Sequence, residues 1–188
     1  MTCAPAIALA GVPELRTERL ILRGPELRDF EPCAAYAASD RSRFTGGPMT
    51  RELAWRAFCH TTGHWVHRGY GPFTVETRDG LILGCVGPFF PEGWPEPEIA
   101  WTIWNVSVEG RGYAFEAAQA ALRHAYGALG WSTAISMINP DNERSVALAR
   151  RMGCRLDGSF QHERFGLCDL WRHPGPDALV DGGMEADA

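Results

Sequence analysis

The hydrophobic and polar positions of this chain follow two periods, and the change between them is clearest in the middle of the sequence. The large apolar side chains of Ile99, Trp101 and Ile103 stand at every second position, which predicts a strand. From residue 114 to residue 129, alanine and leucine recur every three or four positions, which predicts a helix with one apolar face. A glycine-containing turn lies between the two. The pattern therefore predicts a strand, a glycine turn and a helix in succession.

Similar patterns predict the other elements. Thr50 is a suitable N-cap for a helix that runs to about Trp65, and Asn139 is expected to cap a later helix. The dipeptide Asp79-Gly80 between two apolar runs predicts a β-hairpin. The predicted strands are 15–23, 73–77, 81–89, 99–104, 131–138, 154–162 and 165–173, and the predicted helices are 26–38, 50–65, 114–129 and 140–152.

The order of these elements predicts a domain of the α+β (α/β) class with a mixed sheet. We expect this single domain to span residues 14–173. Residues 1–13 are expected to form an unanchored leader. Residues 174–188 are rich in glycine, aspartate and alanine and are expected to form a disordered tail.

Composition excludes several classes of function. The 188 residues suffice for one domain with a full core, and the net charge of −5 without any basic block argues against nucleic acid as a partner. The 18 basic residues are all arginine, and the sequence contains no lysine. Walker P-loops, protein kinases and pyridoxal enzymes each need a lysine, so these classes are excluded.

The cysteines and the apolar segments predict a cytoplasmic protein without membrane contact. No two of the six cysteines form a C-x-x-C pair, and dispersed cysteines of this kind are typical of reduced thiols. The N-terminal residues lack the positive region of a signal peptide. No apolar stretch approaches the roughly 20 residues needed to cross a bilayer.

The glycine turn has the properties of an anion site. Gly110 and Gly112 let the backbone approach a ligand closely, and the free N–H groups of the following helix point at the turn. A phosphate is the anion most often bound there. Two other interpretations remain. The turn resembles part of a Rossmann dinucleotide fingerprint, although Phe115 replaces the third glycine, and it also fits a purely structural role.

Four motifs in sequence order resemble the GNAT N-acetyltransferases. Residues 109–114 (EGRGYA) are similar to that family's acetyl-CoA pyrophosphate loop, Gln/Arg-x-x-Gly-x-Gly/Ala. Residues 139–145 (NPDNERS), in a helix ending at Gly153, resemble its second cofactor helix. Residues 15–23 and the hairpin residues 79–84 are similar to the RimJ/RimL-type branch. The resemblance covers about residues 15–173.

This resemblance implies a fold and a donor. The expected fold is a mixed sheet of six to seven strands, splayed at its centre and flanked by about four helices. The expected cosubstrate is acetyl-CoA, whose pantetheine arm would lie in the gap beside Trp104, Asn105 and Val106. The pyrophosphate would lie on the backbone N–H groups of Gly110, Arg111, Gly112, Tyr113 and Ala114.

Glu109 departs from the family pattern, in which glutamine or arginine is usual at this position. A carboxylate beside phosphates is unfavourable, so we expect the side chain of Glu109 to turn away from them. Arg111, two residues later, would add positive charge to the phosphate site.

The second cofactor helix would contact the reacting end of the donor. Asn142 would contact the pantetheine arm or the leaving sulfur; the alternative is a helix-start residue without this role. Many family members carry a tyrosine that protonates the departing thiolate, and Ala149 occupies that position here. Ser145 is the nearest hydroxyl, and the RimJ/RimL-type branch is similar in using serine there.

Acetyl transfer to an amine also needs a group that accepts the proton of the amine. Glu98 lies at the start of the strand beside the expected gap and is the first candidate, although a solvated charge at a strand end has the same pattern. Glu76 is the second candidate.

Three histidines at helical spacing, His60, His64 and His67, provide an alternative site. Such a face can ligate zinc, but the sequence lacks the glutamate of an HExxH motif and Gly63 interrupts the helix. We therefore predict no metal and a polar face beside the acceptor groove. Among the seven tryptophans, Trp94 and Trp104 are candidates for lining a pocket.

The sequence thus predicts an acetyl-CoA-dependent N-acetyltransferase, a monomer or homodimer. Its acceptor is expected to be a primary amine, either a protein N-terminus or a small-molecule amine. The alternative is a non-catalytic acyl-CoA sensor on the same scaffold.

Overall fold

The computed structural model describes residues 9–180, with side chains described to residue 178. Eight strands form one mixed sheet in the order β1-β2-β3-β4-β5-β6-β8-β7. The strands are Leu15–Arg16 (β1), Leu20–Arg23 (β2), Phe73–Thr77 (β3), Ile82–Phe89 (β4), Glu98–Ile103 (β5), Ile135–Ile138 (β6), Arg155–His162 (β7) and Gly166–Arg172 (β8). The helices are Phe30–Ala37 (α1), Arg51–Arg68 (α2), Tyr113–Gly127 (α3), Glu143–Arg151 (α4) and Pro176–Val180 (α5).

The sheet is splayed between β5 and β6. These two strands are parallel, whereas the other neighbouring pairs are antiparallel. Only Glu98 and Ile135 are in register between β5 and β6, while β4 and β5 pair over six residues. A gap therefore opens in the sheet beyond Glu98. The predicted splayed mixed sheet is confirmed.

Helix α3 packs against the sheet through its alanine face. Ala117, Ala118, Ala121 and Ala125 are fully buried, and so is Leu122. Because alanine is small, the helix axis can lie close to β4 and β5. This packing fixes the N-terminus of α3, and with it the glycine turn, beside the end of β5.

Helices α1 and α2 pack together around a smaller core cluster formed mainly by Phe30, Ala34, Ala54 and Phe58. The predicted cap of α2 is confirmed, since the Thr50 hydroxyl accepts a 3.3 Å hydrogen bond from the N–H of Leu53. The helix continues to Arg68 instead of ending near Trp65, because Gly63 is accommodated within it.

The sheet has eight strands instead of six to seven because the predicted strand at 15–23 is divided in two. The Thr17 hydroxyl donates to Glu116 and accepts from the N–H of Leu20, which turns the chain between β1 and β2. Later, α4 begins at Glu143 instead of residue 140. Asn142 is its N-cap, accepting from the Ser145 N–H at 3.3 Å, whereas Asn139 accepts from the Asp141 N–H.

Short parts of the expected leader and tail are described. Leu9 and Val12 pack against the main core, and Pro176–Val180 form the short helix α5. Residues 1–8 and 181–188, which make up most of both predicted segments, lie outside the described residues. Within the described part of the chain, none of the helices has the length and apolarity required to cross a membrane.

Candidate active site

The gap between β5 and β6 is bridged at its narrow end by side chains. The Ser136 hydroxyl donates a 2.7 Å hydrogen bond to the carbonyl of Ile99, in the place where a strand partner would bond. Ser136 also accepts from His173 Nε2 at 2.9 Å, and His173 Nδ1 accepts from the Cys154 thiol at 3.3 Å. Burial lowers the pKa of His173 to about 4. A neutral histidine therefore stabilises the start of the gap.

Beyond this network, alternate residues of β5 direct their backbone N–H and C=O groups into the gap. The carbonyls of Pro97, Ile99 and Ile103 accept hydrogen bonds from groups outside β4, so they lie on the gap side of the strand. Successive residues of a strand point their N–H and C=O groups to opposite sides. The peptide groups of Trp101 must therefore face the gap too. An extended ligand with amide groups can pair with this edge.

Glu98 lies at the narrow end of the gap and is 6% exposed. One carboxylate oxygen accepts a 3.0 Å hydrogen bond from the Met137 N–H. Burial raises the pKa of Glu98 to about 7, although the Met137 N–H and the nearby Trp94 indole both favour the ionised form. The Trp94 indole N–H is buried without a hydrogen bond of ordinary geometry in the described part of the chain. A carboxylate in this state can exchange a proton near neutral pH.

Ser145 lies across the gap from β5, in the first turn of α4. Its hydroxyl oxygen accepts a 3.2 Å hydrogen bond from the Trp101 indole N–H, so its own proton is directed elsewhere. Asn142 uses its side-chain oxygen as the cap of α4. Ala149, at the family's usual tyrosine position, is fully buried, so a tyrosine there would have to displace core side chains.

Glu98, Ser145 and Asn142 line one continuous cavity of about 690 Å³. Trp101 and Trp104 also line it, and from the gap the cavity extends to α1 and α2. It therefore connects the edge of β5 with the side of the molecule where a second substrate can enter.

The glycine turn lies next to the gap and is separate from this cavity. Gly110 and Gly112 have φ angles of 74° and 79°, in the left-handed region that favours glycine. Gly112 is the N-cap of α3 and has no capping side chain. The first hydrogen bond of the helix runs from the backbone N–H of Glu116 to the carbonyl of Gly112. The N–H groups of the first turn, including those of Tyr113 and Ala114, are thus free for an anion.

Arginines surround this turn. The guanidinium groups of Arg19 and Arg151 lie beside Gly112, and Arg19 also donates to the Arg111 carbonyl at 2.9 Å and to Glu116. The surface depression at the turn is lined by five arginines and three glutamates, a local positive charge in a chain of net charge −5. The arginines are Arg16, Arg19, Arg111, Arg123 and Arg151.

Glu109 points away from the turn and binds two arginines, Arg41 and Arg144. Arg41 also donates to the carbonyls of Ile103 and Trp104, at 2.9 and 2.6 Å. One arginine thus links the end of β5 to the start of the glycine turn. The negative charge of Glu109 is balanced locally.

The remaining predicted donor residues lie in the short 3₁₀ turn between β5 and the glycine turn. Asn105 caps this turn, accepting from the Ser107 N–H at 3.0 Å, whereas Val106 is 63% exposed. Trp104 is buried and lines the cavity, as does Trp94.

Glu76 and His64, which belong to the two alternative sites, have other partners in the structure. Glu76 is buried and bound to Arg23 and Arg28 instead of lining the cavity, so it is not available as the base. His64 bonds to the Tyr70 carbonyl and accepts from the Phe90 N–H, which fixes it in a structural role. Within residues 9–180, no group of three His, Cys, Asp or Glu side chains is arranged to hold a metal ion.

The residues that position this site do so through contacts between distant parts of the sequence. Arg41 binds Glu109 from 68 positions away, and Trp101 binds Ser145 from 44 positions away. No local pattern marks either pair.

Comparisons with known proteins identify acetyltransferases in sequence and in structure. The model of the acetyltransferase (GNAT) domain matches residues 19–155. An uncharacterized N-acetyltransferase, YnaD of Bacillus subtilis (strain 168), is 27% identical over 154 residues, which cover 78% of this chain and 85% of YnaD. An acetyltransferase from Agrobacterium tumefaciens str. C58 is 32% identical with a TM-score of 0.80, covering 91% of this chain and 99% of that one. RimJ of Mycobacterium smegmatis, in complex with CoA-disulfide, shares the fold at 18% identity, with a TM-score of 0.66 over 91% of this chain and 94% of RimJ.

Proposed function

Since the chain belongs to the GNAT acetyltransferase family, we propose that it transfers the acetyl group of acetyl-CoA to a primary amine by direct attack on the thioester. The family uses acetyl-CoA as its donor. The amine nitrogen forms the new bond to the carbonyl carbon, the carbon–sulfur bond breaks, and coenzyme A leaves as its thiol or thiolate.

The residues around the gap fit this donor. The free N–H groups at Gly112, Tyr113 and Ala114, with arginines beside them, would hold the pyrophosphate. The peptide groups of Trp101 and Ile103 would pair with the amides of the pantetheine arm, in part replacing the bond from Arg41. The thioester would then lie in the cavity lined by Glu98 and Ser145.

Two side chains would handle the protons. Glu98 would accept the proton of the attacking amine, directly or through a water, because its pKa of about 7 leaves it largely ionised in mildly alkaline solution. Ser145 would donate its hydroxyl proton in a hydrogen bond to the leaving sulfur, since its oxygen already accepts from Trp101.

The observation that carries this proposal is that Glu98 and Ser145 line the same cavity from opposite sides of the gap. A non-catalytic acyl-CoA sensor has no need of a buried carboxylate there, and burying a charged group without a function is costly. The site therefore favours an enzyme over a sensor.

The RimJ/RimL-type resemblance supports an assignment to that branch, with either a protein N-terminus or a small-molecule amine as acceptor. The test is the release of free thiol from acetyl-CoA with a panel of amines, measured beside acetyl-CoA binding. Amine-dependent thiol release supports the enzyme. Tight acetyl-CoA binding without turnover on any amine would identify a sensor.

A further inference from the structure

The wide end of the cavity is aromatic. Its walls come from four separate parts of the chain: the 3₁₀ turn after α1, the end of β4, the loop before β5, and the β7–β8 turn. Its aromatic and imidazole rings include Phe44, Phe89, Trp94, His162 and Phe165. The His60 ring also lines the cavity and lies 5.8 Å from that of Phe89.

Trp94 is the centre of this aromatic wall. Its ring centroid lies 5.6 Å from that of Phe89, 4.8 Å from that of His162 and 5.9 Å from that of Phe165. All three contacts are edge-on, with interplanar angles of 81°, 68° and 77°. Edge-on packing orients each ring and is a favourable arrangement for aromatic side chains. The wall is thus preassembled for a flat apolar group.

The charged side chains that line the cavity are suited to an acceptor with one amino group, not to an acceptor with several. Glu98 is its only buried carboxylate within the described residues. The other carboxylate in the lining, Glu92, is solvent-exposed and paired with Arg68. The exposed Arg164, which also lines the cavity, would repel further cationic groups. A polycationic acceptor would find a single compensating charge here.

We propose that the acceptor is a primary amine joined by a short chain to an aromatic or similarly flat apolar group. This proposal rests on the proposed acetyl transfer. The amine faces Glu98 and the thioester, while the ring lies against Trp94, Phe89 and Phe165. The hydrophobic effect then holds the acceptor, because the ring leaves water for a wall that is already ordered.

A peptide N-terminus suits this cavity less well. Each peptide unit brings an N–H and a C=O, and a buried polar group without a partner costs about 1–3 kcal/mol. The aromatic wall offers few partners for them, since the side chains of Phe89 and Phe165 carry no polar atoms. The cavity therefore favours a compact amine over a chain of peptide groups.

The test compares kcat/KM for five acceptors with acetyl-CoA: 2-phenylethylamine, ethanolamine, spermidine, kanamycin and a tripeptide that begins with alanine. We expect 2-phenylethylamine to exceed each of the others by at least about tenfold, since even one methylene in an apolar pocket changes kcat/KM by about 10- to 200-fold. A preference for spermidine, kanamycin or the tripeptide would overturn this proposal and leave acetyl transfer standing. Thiol release with none of the amines would overturn both.

Variants of the wall give an independent readout. Trp94→Leu should lower kcat/KM for 2-phenylethylamine about tenfold more than kcat/KM for ethanolamine, because any effect of the lost indole on Glu98 is common to both acceptors. Trp55→Leu is the matched control, because Trp55 is 43% exposed on α2 and does not line the cavity. Phe165→Leu serves if Trp94→Leu does not fold. An unchanged preference for the aromatic amine in the folded variants would contradict the proposal.

Discussion

Glu98 accepts a 3.0 Å hydrogen bond from the backbone N–H of Met137, across the point where β5 and β6 separate. The same separation that buries this carboxylate also opens the cavity in front of it. A main-chain donor holds one oxygen in place, while burial makes the ionised form less favourable. Position and proton affinity thus come from one feature of the sheet.

The first prediction concerns the pH dependence that this carboxylate gives to the reaction. With a pKa of about 7, Glu98 is protonated and inactive as a base at lower pH, so kcat/KM should rise through pH 7. Glu98→Gln should lower turnover by roughly 10²–10⁴-fold and remove the component of the pH profile near 7. The glutamine oxygen can still accept from Met137, so acetyl-CoA affinity should be nearly unchanged.

The matched control is Glu31→Gln, which removes an exposed carboxylate paired with Arg51, away from the cavity. It should behave as the wild-type protein does. If Glu98→Gln retains an unaltered pH profile, the base is a water molecule or another group.

The second prediction concerns the glycine turn. Gly112→Glu places a side chain and a negative charge beside the free N–H groups of α3, where φ is 79°. Acetyl-CoA at a hundred times its Kd should stabilise the wild-type protein by about 2.7 kcal/mol, and the variant should lose this effect. Thermal unfolding with and without acetyl-CoA measures it.

Gly69→Glu controls for backbone strain in this experiment. Gly69 has a φ of 75° at the C-terminus of α2, with open space around it and no part in the turn. Both variants should be less stable than the wild type, but Gly69→Glu should keep the full response to acetyl-CoA. If acetyl-CoA stabilises Gly112→Glu as much as it stabilises Gly69→Glu, the donor binds elsewhere.

The third prediction concerns Ser145. Coenzyme A is a thiol, and free thiols have a pKa of about 8.5, so the leaving group needs only modest assistance near neutral pH. Ser145→Ala should therefore lower turnover by roughly tenfold to a hundredfold, or about 1.4–2.7 kcal/mol of barrier. Ser145→Thr keeps a hydroxyl and should retain most of the activity. Should Ser145→Ala only lower the melting temperature, with normal turnover when folded, the role of Ser145 would be structural.

The fourth prediction concerns the stability of the gap. In the unfolded chain His173 takes up a proton near pH 6.5, whereas in the folded protein it does so only near pH 4. Between these values the unfolded state binds more protons, so stability falls as pH decreases. The shift corresponds to stabilisation on the order of 3 kcal/mol that is present above pH 6.5 and lost by pH 4.

Glu98 acts in the opposite direction over a similar interval. Its raised pKa means that the folded protein keeps a proton that the unfolded chain releases near pH 4.5, so this contribution falls as pH rises towards 7. The effect of His173 must therefore be read from a variant. The stability advantage of the wild type over His173→Gln should shrink as pH falls from 7 to 4.5, in urea unfolding at each pH.

Local signals were sufficient to predict most elements of this fold. The Asp79-Gly80 turn, the Thr50 cap and the alanine face of α3 each depend on neighbours within a few residues, and the structure has all three. The break between β1 and β2 was missed because it depends on Thr17 meeting Glu116, 99 positions later.

The candidate site also has features that the sequence predicts and features that it does not. The glycine turn is visible in the sequence because glycine, positive φ and a helix start coincide there. The burial of Glu98 is not, since it results from where β6 leaves β5. Arg41 carried no signal at all, because its partners are backbone carbonyls and a glutamate that meet only in the folded chain.

The separation of β5 from β6 also determines which amide hydrogens exchange with solvent. In a continuous sheet, the N–H groups of Trp101 and Ile103 would be protected by the neighbouring strand, whereas here they face the gap. Acetyl-CoA bound along this edge would form hydrogen bonds with these backbone groups, as a neighbouring strand does in a continuous sheet. Deuterium uptake at these two amides therefore reports whether the gap is occupied, without any chemical modification of the protein and without knowledge of the acceptor.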